Sequence, residues 1–202
     1  MHMGTPVHDV MLTTMLDLED LAPARLRPLT WREYERLAEG GAFDDERVEL
    51  LRGQIVTMSP QNWPHQAVMV WLNRELSRRL PDEFVVRPAL PFVATDDSEP
   101  EPDLAVSLEP IGTRRTARTA VLLIEIADSS LRKDRRIKLP IYAEAGVPEY
   151  WIVDVSRPGE LAVEVYRDPS PTGYATALTL RDGDVLRPLG LPIEIAVADL
   201  PR

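Results

Sequence analysis

The chain has 202 residues, 44% of them hydrophobic, enough for one ordinary globular domain with a real core. It contains no cysteine, which excludes disulfides and thiolate metal centres, and its formal net charge of -10 works against an extended electrostatic grip on nucleic acid. No apolar run approaches the roughly 20 residues of a membrane span, and the amino-terminal stretch lacks a basic start followed by an apolar core, so the expectation is a cytoplasmic protein with no membrane partner.

Residues 1–27 mix Met, Thr, Asp and Pro without a sustained period and read as a flexible arm, in which His2 and His8 are incidental. Residues 28–202 are then a single domain. In "LTWREYERLAEGG", Thr30 is the expected N-cap of a helix, Glu33 completes a capping box, and Gly40 and Gly41 stop it. Trp31, Tyr34, Leu37 and Ala38 share one face of that helix. "RVELLRGQIVTMSP" predicts two short strands joined at Arg52 and Gly53, with Glu49 in the first arm. A second helix carries Val68, Trp71, Leu72, Leu76 and Leu80, has His65 in its first turn, and ends at Pro81. "EFVVRPALPFVA" is β-rich with prolines that suggest an edge or a bend, and the acidic loop "TDDSEPEP" behind it is expected to be largely solvated.

The next strand opens at Asp103, and alternation places Asp103, Ala105 and Ser107 on one face against Leu104, Val106 and Leu108 on the other. "AVLLIEIA" is apolar on both sides of Glu125, the pattern of a strand buried within a sheet. A helix is expected from Ser130 to about Ala145, stopped by Gly146 and followed by the strand "EYWIVDV", in which Trp151 and Asp154 read as core and loop-end residues. Strand, helix and strand make a right-handed βαβ crossover with parallel strands. On a regular helix Asp134, Lys138 and Tyr142 form one stripe, each about 6 Å from the next. Pro140 should disturb a turn, since it lacks an N–H. The remaining β-runs, "LAVEVYRD", "GYATALTL", "VLRPL" and "IEIAV", read as a meander that extends or covers the sheet.

A charged side chain in a core-forming segment is costly unless it is paired or binds a metal, so Asp103, Glu125 and Lys138 need an explanation. Hydrolysis of a phosphodiester calls for a divalent cation, usually held by two carboxylates from adjacent strands, with a nearby lysine to polarise water or stabilise charge. Asp103 and Glu125 meet that description if their strands are neighbours. A hard cation such as Mg²⁺ keeps several waters, so these two carboxylates and the Ile126 carbonyl would suffice, with Lys138 reaching in from the crossover helix. The alternatives are structural. Asp103 could cap its strand through loop hydrogen bonds, Lys138 could be an ion-pair partner of Glu125 or Asp134, Glu49 could be an exposed hairpin residue, and His65 could satisfy a helix N-terminus. Asp134 would orient Lys138 or cap its helix, Tyr142 would pack, and Lys133 on a regular helix points elsewhere.

The blocks "ERVELLRGQIVTMSP…H", "EPDLAVSL" and "LLIEIADSSLRKDRRIKLPIYAEAGVPEYWIVDV", with the β-rich tail, resemble the Uma-type restriction endonucleases, a bacterial branch of the PD-(D/E)xK nuclease superfamily. The resemblance implies an α/β fold, a restriction-endonuclease-like core in which helices flank a central mixed β-sheet, with the C-terminal β meander attached. It makes Pro102 and Asp103 the "PD" and Glu125 the "(D/E)". The superfamily's usual lysine position is Ala127, so the resemblance implies that Lys138 takes over; Glu49 and His65 match positions that recur in the family. The activity implied is an Mg²⁺- or Mn²⁺-dependent endonuclease acting on DNA, with Asp103 and Glu125 on the metal, Lys138 and Glu49 catalytic, and His65, Asp134 and Tyr142 in support. A homodimer follows from nuclease logic, because two sites cut two strands more easily than one. The rival class is a binding or structural protein that keeps the fold without activity. Arg114, Arg115, Arg118, Arg132, Lys133, Arg135 and Arg136 would discriminate, since a basic rim around the carboxylates makes DNA binding credible despite the net charge.

Overall fold

The computed structural model describes residues 25–108, 117–157 and 159–202. Most of the arm, with His2 and His8, and the two basic residues Arg114 and Arg115 lie outside the described residues.

Helix α1 (Trp31–Glu39) begins as its sequence predicts: the Thr30 hydroxyl accepts from the Glu33 N–H, and the Glu33 carboxylate returns the bond to the Thr30 N–H. Leu37, expected on the packed face, is exposed; Tyr34 is the buried residue of this helix. Strands β1 (Val48–Leu51) and β2 (Gln54–Thr57) form the expected antiparallel hairpin. Arg52 at φ 50° and Gly53 at φ 74° supply the two left-handed residues that a two-residue turn of this twist demands. Helix α2 (Trp63–Arg79) is capped by Asn62, whose side chain accepts from the His65 N–H, and buries Val68, Leu72 and Leu76.

The main sheet has six strands in the order β3 (Val85–Pro88), β4 (Leu104–Ser107), β5 (Leu122–Ala127), β6 (Glu149–Arg157), β7 (Glu160–Ser170) and β8 (Gly173–Leu180). Every neighbouring pair is antiparallel except β5 and β6, which are parallel, as a helical crossover between them requires. β3 with its Pro88 lies at an edge, where a missing N–H is tolerated. β5 lies inside the sheet and all six of its residues are buried. β7 and β8 extend the sheet as the meander reading expected, while β9 (Val185–Leu186) and β10 (Ile195–Ala196) pair separately as a small ribbon.

Alternation along the strands builds two cores, one on each face of the sheet. Leu104, Val106, Leu122, Ile124, Ile126, Trp151 and Val153 pack under α2 and the C-terminal segment. Ala105, Leu123, Ala127, Tyr150 and Ile152 pack against the crossover helix and the hairpin side. In the acidic loop before β4, Asp96 is exposed and Asp97 and Glu101 are half-buried, whereas Glu99 is buried with Ser98 and Pro100, and Leu50 and Glu99 exchange two backbone hydrogen bonds that fasten the hairpin to the sheet domain.

The crossover helix is also less regular than its sequence pattern. It runs as α3 (Leu131–Lys133), a π turn (Asp134–Lys138) and α4 (Leu139–Glu144), and the Leu139 N–H reaches back to the Asp134 carbonyl, one residue further than an α-helix allows. Pro140 stands just beyond this wide turn. It can offer no N–H to Arg136, and its ring would crowd that carbonyl in a regular helix, so the wide turn suits both constraints. No helix among the described residues is long and apolar enough to cross a membrane.

Gly53 is a point where the hairpin cannot tolerate a side chain. A Cβ there would lie 2.1 Å from Pro28 Cβ and 2.6 Å from Pro28 Cα, at a φ that already disfavours alanine. Gly53→Ala is therefore expected to cost about 2 to 4 kcal/mol, strain and overpacking together. Gly146, also at positive φ but with nothing within 4 Å, is the control and should lose only about 1 kcal/mol as alanine. Paired urea titrations of the two variants check the difference; equal losses would mean that the contact with Pro28 is unimportant.

Candidate active site

The antiparallel register of β4 and β5 pairs Leu104 with Ile124 and Ala105 with Leu123, and its continuation sets Asp103 opposite Glu125 on the same face. The condition that their strands be neighbours is met. Both carboxylates line one cleft of about 210 Å³, together with His65, Lys133, Asp134 and Lys138. Glu49 comes to the same cluster from β1, where it is almost fully buried and not an exposed hairpin residue.

Lys138 is the centre of the cluster. Its Nζ lies 2.9 Å from Glu49 Oε2 and 2.9 Å from Glu125 Oε1, with only 2% of the side chain exposed. The Tyr142 hydroxyl donates to the same Glu125 Oε1 at 2.7 Å, so this tyrosine has a polar duty in addition to its packing. Asp134 receives the Ser130 hydroxyl on Oδ2 at 2.6 Å, while its buried Oδ1 has no hydrogen-bond partner. Asp103 accepts on both oxygens: Oδ2 from the Ile126 N–H at 2.8 Å, and Oδ1 from Gln61 at 3.2 Å and, at 3.0 Å, His65 Nε2. Asp103 thus has the loop and backbone bonds of its structural alternative and also faces the cleft.

Lys133 corrects the sequence reading. On a regular helix, residues five apart are about 140° apart around the axis, which would direct Lys133 away from Lys138. In a turn closed from i to i+5 that offset is much smaller and the two residues share one side of the helix. The π turn therefore brings both lysines to Glu49, and Lys133 Nζ is 2.7 Å from Glu49 Oε1. Residues the sequence did not single out are Gln61 and Asn62, while Ser130, expected as a helix N-cap, makes no side-chain cap bond and gives its hydroxyl to Asp134. Asn62 had a readable signal, an N-cap residue three positions before the His65 N–H it binds; Gln61 had none.

Electrostatics separates the carboxylates. Burial disfavours the Glu49 carboxylate, but Lys138 and Lys133 together outweigh it and hold its pKa below the usual range. Burial pushes the Glu125 carboxyl well up; Lys138 opposes this, and Asp134, Asp103 and Glu49 add to it. Asp134 is also raised by burial, against Lys138. Lys138 resists burial because Glu125, Glu49 and Asp134 surround it, so it stays protonated. Four carboxyl groups, Glu49, Asp103, Glu125 and Asp134, thus gather around two ammonium groups.

Among the described residues, the expected basic rim contributes one side chain to the cleft lining. Lys133 lines the cleft, but Arg118 stacks over Trp31 at 4.5 Å and Arg135 pairs with Glu164. At the cleft wall Arg47 pairs with Glu101.

The chain matches, over residues 31–199, the family model Uma2, described as "Putative restriction endonuclease", and it belongs to that family. Among solved structures it is similar to the crystal structure of a "putative nuclease belonging to DUF820" from Anabaena variabilis, at 21% identity and a TM-score of 0.65, covering 86% of this chain and 97% of that one. That likeness establishes the shared fold, a mixed six-stranded sheet flanked by helices. No curated protein matches the chain.

Removing Lys138 leaves two buried carboxylates without their shared cation, and Lys138→Met should cost about 3 to 5 kcal/mol. The Glu125 pKa is already held above its ordinary 4.5, and losing the lysine raises it further. The folded variant then keeps a proton that the unfolded chain releases, so its stability falls as pH rises above about 4.5. Urea midpoints of wild type and variant at about pH 4.5 and pH 8 check this, with the larger gap expected at the higher pH.

Proposed function

We propose that this chain is a divalent-metal-dependent endonuclease that hydrolyses DNA phosphodiester bonds. The observation that carries the reading is the pairing of Asp103 and Glu125 across neighbouring strands at the floor of one cleft, with Lys138 on Glu125. Membership of a family described as restriction endonucleases supports it, and so does the shared fold of a protein described as a nuclease.

The donor set fits a hard cation of the Mg²⁺ or Mn²⁺ kind. Among the described residues no three carboxylate or imidazole groups form a ready-made metal cage. Two carboxylates and a carbonyl are nevertheless the number that a cation retaining most of its water needs. Asp103 and Glu125 would hold it, with the Ile126 carbonyl. When bound, such a cation supplies charge neutralisation to a phosphodiester's oxygens and lowers the pKa of water.

The chain's own residues have distinct roles in this reading. Asp103 is oriented by His65, Gln61 and the Ile126 N–H, so its carboxylate is fixed before substrate arrives. Lys138, held between two carboxylates, is a protonated donor and a fixed positive charge, suited to stabilising developing negative charge and not to removing a proton. Glu49 keeps Lys138 and Lys133 in place, and Tyr142 fixes the Glu125 Oε1. A homodimer would bring two such sites together.

The second reading, a fold-retaining protein without activity, is favoured by one observation: the charged side chains of the cluster already satisfy one another extensively. Plasmid nicking separates the two. Wild type is expected to nick DNA with Mg²⁺ or Mn²⁺, and Asp103→Asn and Glu125→Gln, checked for folding by circular dichroism, to lose about 100-fold or more in kcat. Chelation should abolish nicking and added metal should restore it. Nicking by both variants at the wild-type rate would sink the site; a folded wild type that neither binds divalent cations in calorimetry nor nicks DNA would favour the inactive scaffold.

A further inference from the structure

Trp63 is left unexplained by the fold. The chain has four tryptophans, and three have evident packing duties: Trp151 is fully buried, Trp71 packs against the α2 core, and Trp31 lies under the guanidinium groups of Arg32 and Arg118. Trp63 is 75% exposed, the most exposed large hydrophobic side chain among the described residues. It is also rigidly mounted. Its neighbour Asn62 caps α2 and donates to Asp128 Oδ2 at 2.6 Å, while Gln61 and His65 on either side both hold Asp103.

Trp63 itself lines neither of the two clefts nearby, but the residues on both sides of it in sequence do. Gln61, Asn62 and His65 line the carboxylate cleft. Asn62 and Pro64 line a second cleft of about 240 Å³, and Asp128 is shared by both. The second cleft has apolar wall residues, Pro64, Val155, Leu161 and Pro201. A nucleic-acid strand whose phosphate sits over Asp103 and Glu125 would cross the residue 61–65 segment into this space.

We propose that Trp63 is a stacking platform for an unpaired nucleobase next to the phosphate at Asp103 and Glu125, so that the preferred substrate is single-stranded or locally unstacked DNA. This rests on the nuclease reading and adds the form of the substrate to it. Charge points the same way. With a net charge of -10 and with Arg47 and Arg135 paired to carboxylates, these cations offer phosphates less than their number suggests, and counterion release contributes correspondingly less to affinity. Stacking on an aromatic face is the contribution that does not depend on charge, and every base has a face to offer. The bases of an intact duplex are already stacked, and they would have to leave the helix to meet an exposed indole.

The test uses the full chain with Ca²⁺ replacing Mg²⁺, and fluorescein-labelled DNA about 12 nucleotides long, single-stranded or as a duplex, read by anisotropy. Wild type is expected to bind the single strand more tightly than the duplex. Trp63→Ala should weaken single-strand binding roughly 10- to 100-fold, and Trp63→Tyr should restore most of it. The loss should be the same factor at about 50 and 200 mM salt, because stacking releases no counterions. In nicking assays Trp63→Ala should raise KM and leave kcat unchanged. Wild-type binding and nicking with Trp63→Ala indistinguishable from it would overturn the inference and leave the nuclease reading standing. If wild type neither bound nor nicked DNA, the nuclease reading would fail and take this one with it. A wild-type dimer in sedimentation that Trp63→Ala dissociates, with unchanged affinity for DNA, would make Trp63 a protein interface and overturn the proposal.

Discussion

One buried ammonium group, Lys138 Nζ, joins three parts of the chain that are far apart in sequence. Glu49 comes from the hairpin, Glu125 from the central strand, and Lys138 itself from the crossover helix. Removing ions from water costs several kcal/mol each, and their mutual attraction offsets this only where the geometry is good and the remaining polar atoms are satisfied. That condition explains the supporting parts. Leu50 and Glu99 tie the hairpin to the sheet domain, Gly53 lets it sit against Pro28, and the π turn delivers a second lysine to Glu49. An apolar core of the same volume would need none of these devices.

The same cluster shows how a site can be distinguished from a structural ion pair. Glu49 has two lysines and a lowered pKa, which is the behaviour of a group whose charge is fully compensated. Glu125 shares one lysine, lies among like charges, and has a raised pKa. The compensation is therefore uneven, and the carboxyl that has less of it, Glu125, whose pKa burial raises first, lines the cleft. Strongly perturbed carboxylates in a concave space are where chemistry is to be sought, although perturbation by itself names no reaction.

The negative net charge has a local counterpart. At the cleft wall Arg47 is paired with Glu101, and elsewhere Arg135 is paired with Glu164, so that these two arginines contribute little free positive potential. Sequence counts give the number of cations; only their partners decide how many face outward. Trp63 is the opposite case, an apolar side chain with no internal duty at the margin of a polar site.

Much of this was legible in the chain itself, wherever the physics is local. The capping box at Thr30, the two-residue turn at Arg52 and Gly53, and the alternation through "DLAVSL" and "LLIEIA" each follow from backbone preferences and period within a few residues, and each is present. Asp103, Glu125 and Lys138 stood out because an unpaired charge is costly in an apolar segment. What the sequence could not decide depends on contacts between distant segments. The burial of Glu99 in the acidic loop needed its pairing with Leu50, and the burial of Glu49 needed the hairpin to fold onto the crossover helix. The place of Lys133 depended on a turn one residue wider than the helical period, beside a proline whose neighbours, read in one dimension, gave no reason for it.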